Sequence, residues 1–469
     1  MNIYDLIVAF EWGFIVFFIL INGGYLFLTV LSLPGLWHHI RARLSGITER
    51  PPAGFETPVS ILVPAFNEAK TIIPSLLSMT ELDYPEYEIV VINDGSTDET
   101  LEVLQKGLDL VEVYEASQVR ISTKTVRGYY QSLKYRKIRV IDKENGGKSD
   151  ALNAGINASL YPLFCSVDAD SILEPDSLLS VVQPFLQDPG VIAAGGTIRI
   201  ANGCRIRKGR IEKIGIPINP LALVQVVEYL HAFLFGRMGW VPLNSLLVIS
   251  GAFSLFVKEH VIRVGGYRTD TVGEDMELIV RLHEDMRSQK KPYKITFVAE
   301  PICWTEAPEK LKTLQSQRIR WHRGLGESLF LHKPLFFNPK MGALGLFAYP
   351  FTLFFEFFSP LIEVTGYLFF FISAYLGIIN MDAFFAFLIV AVALGILLSV
   401  SAILLEEMTF QVYRKKRYIL LLLLGAVIEN VGYRQLNSLW RLIGFFKFSF
   451  GTRREWGKMH RHASWHHGE

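Results

Sequence analysis

Only three cysteines occur in the 469 residues, Cys165, Cys204 and Cys303. Their spacing fits neither a metal knuckle nor a disulfide framework, so the thiols read as buried fillers in a reducing compartment. Net charge is equally sparse, +2 from 47 basic and 45 acidic residues. That balance argues against a nucleic-acid partner. The start of the chain has Asp5 and Glu11 but no lysine or arginine, and no small-residue cleavage site follows the first apolar run. A secretory signal needs both, so the run reads as an anchor. Internal repeats and low-complexity tracts are missing as well.

Apolar residues are plentiful. Half the residues are hydrophobic, 13% are aromatic and mean hydropathy is positive, which is too apolar for an ordinary soluble enzyme. Trp12 to Leu33 is long enough to cross a hydrocarbon core, which takes ~20 residues. Basic residues gather beside apolar runs: His38, His39, Arg41 and Arg43, then Arg414–Arg417, then Lys447 to Arg461. Such flanks place the N-terminus outside and the following polar body in the cytoplasm. Phe351–Leu376 reads as an interfacial piece leading into a span, and Ala383–Leu405 as a cleaner span. Tyr418–Ile428 is apolar but short, so a re-entrant or partly immersed segment is expected there. An amphipathic helix around Leu436–Phe446 should follow it.

Between Pro58 and about Ala299, short β-rich runs alternate with helical stretches. Val59–Val63, Glu88–Ile92, Ile138–Ile141 and Leu163–Val167 have the continuous apolar character of parallel strands buried on both faces. Thr71–Met79 and Ser149–Leu160 have helical spacing, and the alternation predicts an open α/β sheet. Glu102–Tyr135 reads as a long polar and basic connection. Ligands of such sheets bind beyond the carboxyl ends of the strands, where Asp94, Asp142 and Asp168 fall.

Several groups there can carry chemistry. Asp168-Ala169-Asp170 ends a strand; residues two apart share a face, which would give Mg2+ or Mn2+ two hard oxygen ligands. A solvated turn is the plainer reading. Asp94 and Glu68 could accept hydrogen bonds from a base or ribose, or simply serve their turns. Asn145-Gly146-Gly147-Lys148 lacks the upstream glycine of a Walker loop, yet could bring backbone amides and Lys148 to a phosphate at a helix start. Glu274-Asp275 opens a helix, where acidic residues favour the dipole and where one could act as a general base. Gln317 shares a helix face with Arg320 and Trp321. Arginine suits bidentate phosphate binding, and the indole offers a flat face for a sugar.

In their order these motifs resemble the membrane-bound family-2 glycosyltransferases, such as cellulose, hyaluronan, chitin-oligosaccharide and poly-N-acetylglucosamine synthases. The resemblance runs from Pro58 to Arg323. It implies an α/β GT-A glycosyltransferase domain, with a mixed and mostly parallel sheet, inserted between transmembrane helices. It also implies inverting transfer from a nucleotide sugar, usually a UDP-sugar, to a growing glycan or a lipid acceptor. Asp94 would contact the uracil, with Glu68 and Lys148 in the nucleotide pocket. Asp168 and Asp170 would serve the diphosphate and an Mg2+ or Mn2+ ion. Asp275, beside Glu274, would be the base. Gln317 and Arg320 would hold the diphosphate, and Trp321 would lie under the acceptor sugar. Ser250 and Gly251 look similar to the acceptor-side loop, and Thr452, Arg453 and Trp456 loosely resemble a gating motif.

The expected layout is an anchor at 1–40, a cytoplasmic catalytic domain at 55–335, membrane and interfacial helices at 345–446 and a basic tail at 447–469. The membrane part is smaller than in cellulose synthases, so membrane lipids and a small membrane partner subunit are candidate partners. Elongation of a β-linked exopolysaccharide coupled to export is the leading expectation. Transfer of one sugar to a membrane lipid is the alternative. A transporter with a nucleotide-sensing domain is disfavoured by the intact acidic set.

Overall fold

The computed structural model describes residues 3–44, 56–114, 118–207 and 209–451. The chain divides into two compact units. One gathers Met1–Arg41, Pro217–Leu243 and Pro308–Met459; the other comprises Ala42–Ile216 and Asn244–Ala307.

The second unit is a sheet covered by helices. Its strands in chain order are β1 (Val59–Ala65), β2 (Tyr87–Asp94), β3 (Leu110–Val113), β4 (Val126–Ser132), β5 (Ile138–Lys143) and β6 (Leu163–Val167). Then come β7 (Ile172–Leu173), β8 (Val191–Ile200), β9 (Arg205–Arg207), β10 (Arg210–Lys213), β11 (Phe253–Val257) and β12 (Lys294–Thr305). Ten of them form one sheet in the order β3-β4-β5-β2-β1-β6-β11-β8-β12-β7, and β9 and β10 form a separate hairpin. In the large sheet β4, β11 and β7 oppose the direction of the other strands.

The four runs expected to be buried parallel strands are β1, β2, β5 and β6, and each pairs in parallel with its neighbour in the order β5-β2-β1-β6. Val59–Val63 and Glu88–Ile92 are buried at every position, which explains the absence of a polar alternation. Parallel pairing puts the carboxyl ends of these strands on one edge, carrying Phe66, Asp94, Lys143 and Asp168. The helix Ile72–Thr80 buries Ile72, Leu76 and Met79 at helical spacing. The helix Lys148–Ala158 follows β5 and is buried along nearly its whole length.

One expectation is corrected. The stretch Glu102–Tyr135 is not a bare connection: it finishes the helix Thr100–Leu108 and then forms β3 and β4. β3 is the edge strand and β4 lies next to it; both are partly exposed, so their sequence lacks the apolar continuity that marks the central ones. The catalytic-domain limits of 55–335 differ from the compact units. Residues 217–243 and 308–335 group with the apolar helices.

In that apolar unit four helices are long and apolar enough to cross a membrane: Ile7–Trp37, Pro220–Leu243, Met381–Thr409 and Lys416–Ser449. Leu344–Phe357 and Ser359–Tyr375 form a further pair bent by 41°. The expected short segment at Tyr418–Ile428 runs on into Arg434–Ser449, interrupted where Val431 and Gly432 (φ +111°) leave the helical region. Ile15, Phe18 and Ile21 pack against Phe370, Phe387 and Ala391. A buried carboxylate in such a low-dielectric interior needs hydrogen-bond donors. Glu363 accepts from Arg434 (3.3 Å), Ser359 (2.7 Å) and Ser438 (2.6 Å).

Candidate active site

The loops at the carboxyl edge of the parallel strands build the site from short, mutually bonded turns. Asn67, in a left-handed conformation (φ +59°), does not cap a helix. Its Oδ1 accepts from the backbone of Thr97 (2.8 Å) and Asp98 (3.3 Å), tying the loop after β1 to the loop after β2. Glu68 fixes the next turn, where its carboxylate accepts from Thr71 Oγ1 at 2.7 Å.

Asp94, at the end of β2, is buried, and both of its oxygens are engaged. Oδ1 accepts from Lys143 Nζ (2.6 Å) and Gly146 N (3.0 Å), and Oδ2 from Gly147 N (2.7 Å) and Asn145 Nδ2 (3.2 Å). The glycine amides expected to face a phosphate are therefore spent on Asp94. What the loop offers outward is Lys148, at the start of its helix. Lys148 Nζ pairs with Asp168 Oδ1 and donates to Gly251 O at 3.0 Å.

Asp168 and Asp170 follow β6 in a turn closed by the Ser171 amide bonding to Asp168 O at 3.0 Å. Their proximity thus comes from the turn and not from strand alternation. Asp170 is buried, while the Asp168 side chain is about a quarter exposed. Glu274 and Asp275 begin the helix Glu274–Ser288, and Asp275 Oδ1 accepts from the amide of Met276 at 2.9 Å. Added as a side-chain carbon, a Cβ on Gly251 would lie 3.4 Å from both Asp275 Oδ2 and Lys148 Nζ. Gly251 therefore sits between Lys148 and Asp275. Burial alone would depress the Lys148 ammonium, but Asp168, Glu274 and Asp275 outweigh it and hold it above the ordinary lysine value.

The structure thus brings Lys148, Asp168, Gly251, Glu274 and Asp275 into one site. Ser250 is buried beside Gly251, its Oγ accepting from Ala252 N at 3.3 Å. Gln317, Arg320 and Trp321 belong to the other unit, on the helix Leu311–Leu331. There Trp321 is 40% exposed and Arg318 lies over its ring at 4.4 Å. Arg318 is not a solvated cation, since it is buried and bonds Glu228 at 2.7 Å. Thr452, Arg453 and Trp456 lie outside the described residues.

Sequence reasoning missed Lys143, Asp150 and Asn153. Asn153, on the Lys148 helix, exchanges two bonds with the backbone of Tyr267 (2.8 and 2.7 Å) and so latches the loop ahead of Glu274. Its asparagine in an otherwise small and apolar stretch was the available signal.

The donor set suits a divalent cation. Two carboxylates stand in one turn, and no group of three or more His, Cys, Asp or Glu placed to hold a metal ion occurs among the described residues. A hard cation held by one or two carboxylates, with the rest of its shell from phosphates and water, needs no more.

The mixed, mostly parallel sheet is of the GT-A type. A family model described as "Glycosyl transferase family 2" matches residues 60–260, and one described as "Glycosyl transferase family group 2" matches 163–400, more than half of the chain. The chain belongs to the family-2 glycosyltransferases. It is 29% identical over 272 residues to a poly-beta-1,6-N-acetyl-D-glucosamine synthase of Staphylococcus epidermidis, and 30% over 271 to that of Staphylococcus aureus. Each match covers 58% of this chain and 55% of the relative, so the chain spans about half the length of the curated relatives it matches. A mannosyltransferase of Pyrobaculum calidifontis, solved with GDP-Man and Mn2+, has a similar fold, with a TM-score of 0.54 at 17% identity. That similarity covers 94% of this chain and all of the other.

Proposed function

We propose that the chain is a membrane-embedded, inverting glycosyltransferase that uses a UDP-sugar to elongate a β-linked exopolysaccharide. The carrying observation is the meeting of Lys148, Asp168, Glu274 and Asp275 around Gly251 at the carboxyl edge of the parallel strands. The polymer-forming names of the matched staphylococcal relatives support the product class.

In this reading an acceptor hydroxyl lies over Gly251. Asp275 takes its proton as the oxygen bonds to the anomeric carbon and the bond from that carbon to the diphosphate breaks on the opposite face. General-base help of this kind is worth ~10²–10⁴-fold. Glu274 keeps the helix start acidic, and Lys148 receives charge developing on the leaving diphosphate. Asp168 and Asp170 would hold Mg2+ or Mn2+, which neutralises diphosphate charge when bound; the Mn2+ of the mannosyltransferase supports that choice. For Gln317, Arg320 and Trp321, motif order supports roles toward the diphosphate and the acceptor sugar. The α/β unit faces the cytoplasm, as the basic flanks of the apolar runs favour.

The test is a screen of radiolabelled UDP-sugars with the purified protein in lipid, followed by product sizing. A polymer or ladder is expected. A single-sugar product on lipid would replace elongation with lipid glycosylation. D275N should abolish transfer and leave UDP binding near that of the unaltered chain; retained turnover would remove Asp275 from the base role.

A further inference from the structure

Lys143 ends β5 with its side chain fully buried. A lysine ammonium has three donors and no acceptor. Here all three are matched: Asp94 Oδ1 at 2.6 Å, Asp150 Oδ1 at 2.6 Å and Glu144 O at 2.6 Å. Each carboxylate in turn holds backbone. Asp94 takes the amides of Gly146 and Gly147, and Asp150 takes that of Lys124 (3.2 and 3.1 Å). The loop between β5 and the Lys148 helix is thus wound around one buried positive charge shared by two buried negative ones. Its backbone agrees: Gly147 has φ +88°, and a side-chain carbon on Gly146 would stand 2.4 Å from Asp150 Oδ1.

We infer that Lys143 is a positioning residue for donor binding, whose charge holds Asp94 and Asp150 together and thereby sets the place of Lys148 at the diphosphate. The inference rests on the nucleotide-sugar reading above. Two buried carboxylates drawn to one nitrogen repel each other once that charge is removed, and a partner left uncompensated costs more than the pair contributed. The loop would then open between Asn145 and Lys148. Asp275 hangs from a different element and would stay in place. UDP binding, which involves no chemical step, should weaken, and transfer should fall with it because Lys148 also meets the leaving diphosphate.

The test compares the full-length unaltered chain with K143M, D150N and K143M/D150N in lipid, by UDP calorimetry, donor kinetics and thermal melting. K143M keeps the volume of the stem and removes its charge. It should raise the UDP Kd and the donor KM by about tenfold or more, because Lys148 no longer stands where the diphosphate binds. Adding D150N leaves one carboxylate and should recover much of the loss. A donor KM for K143M equal to that of the unaltered chain overturns the inference. So does a double variant no better than K143M, because a packing role would not respond to removing a charge. Should K143M fail to accumulate folded, recovery of folded protein on adding D150N supports the inference and continued misfolding overturns it. An unaltered chain that binds no UDP would sink the donor reading instead. The melting of the three variants would then still decide the charge balance of the loop.

Discussion

His283 shows how much one side chain can state about its own proton. Its Nε2 lies 3.0 Å from the carbonyl of Leu246 and its Nδ1 lies 2.6 Å from the hydroxyl of Tyr293. A carbonyl can only accept, so Nε2 carries the hydrogen and Nδ1 receives one from the tyrosine. Burial pushes the imidazole down to about 3, helped by Arg287 and opposed by the Leu246 carbonyl. The unfolded chain takes a proton near pH 6.5 that the folded chain refuses, so folding loses stability as pH falls between the two values. Melting from about pH 6.5 toward pH 4 should show a contribution of ~1.4 kcal/mol per unit from this group. In H283Q that part of the slope should vanish, and an unchanged slope would remove His283 as its source. Asp94 teaches a related lesson about reading a sequence. An acidic residue at a strand end was legible as a ligand-facing group, but its number of lone pairs is finite, and the fold has already assigned them.

Among elements, the Lys148 helix connects the parts of the site. Its first residue reaches Asp168, Asn153 in its second turn holds the loop before Glu274, and Asn157 bonds the backbone of Ile121 at 2.7 Å. N153A removes two hydrogen bonds, each worth ~1 kcal/mol net, and leaves the Tyr267 backbone to find new partners. It should lower the melting temperature and slow transfer at saturating donor, while UDP affinity stays close to that of the unaltered chain. G146A should do the reverse, since its new carbon would displace the Asp150 carboxylate and strike donor affinity first. Equal donor KM values for the two variants would contradict this division. The central strands were legible because burial on both faces leaves an uninterrupted apolar record, and this helix by its helical spacing. β3 and β4 were not, because edge positions such as Val111 and Glu112 are exposed and carry no period. Residues 217–243 escaped notice for another reason. Glu228, His231 and Arg237 break the apolar pattern, and Glu228 is bonded inside the unit by Arg318 and Tyr433.

At the scale of the whole molecule, the two units are interleaved along the chain. The apolar helix run Pro220–Leu243 interrupts the α/β unit between β10 and β11. Within the sheet β11 lies between β6 and β8, antiparallel to both. A chain ending at 243 would lack β11 and β12, leaving β6 with one open edge and β8 with no partner. Expressed alone, residues 1–243 should aggregate or be degraded, whereas 1–307 should retain a protease-resistant α/β core. Equal protease resistance of the two fragments would contradict this. Because a ribosome delivers residues in order, the sheet waits with an open slot while the Pro220–Leu243 run is being made. The slot closes only when Phe253–Val257 emerges. β11 can therefore join the sheet only after an apolar helix run has been made, and a delay there would leave a half-built sheet in need of a chaperone.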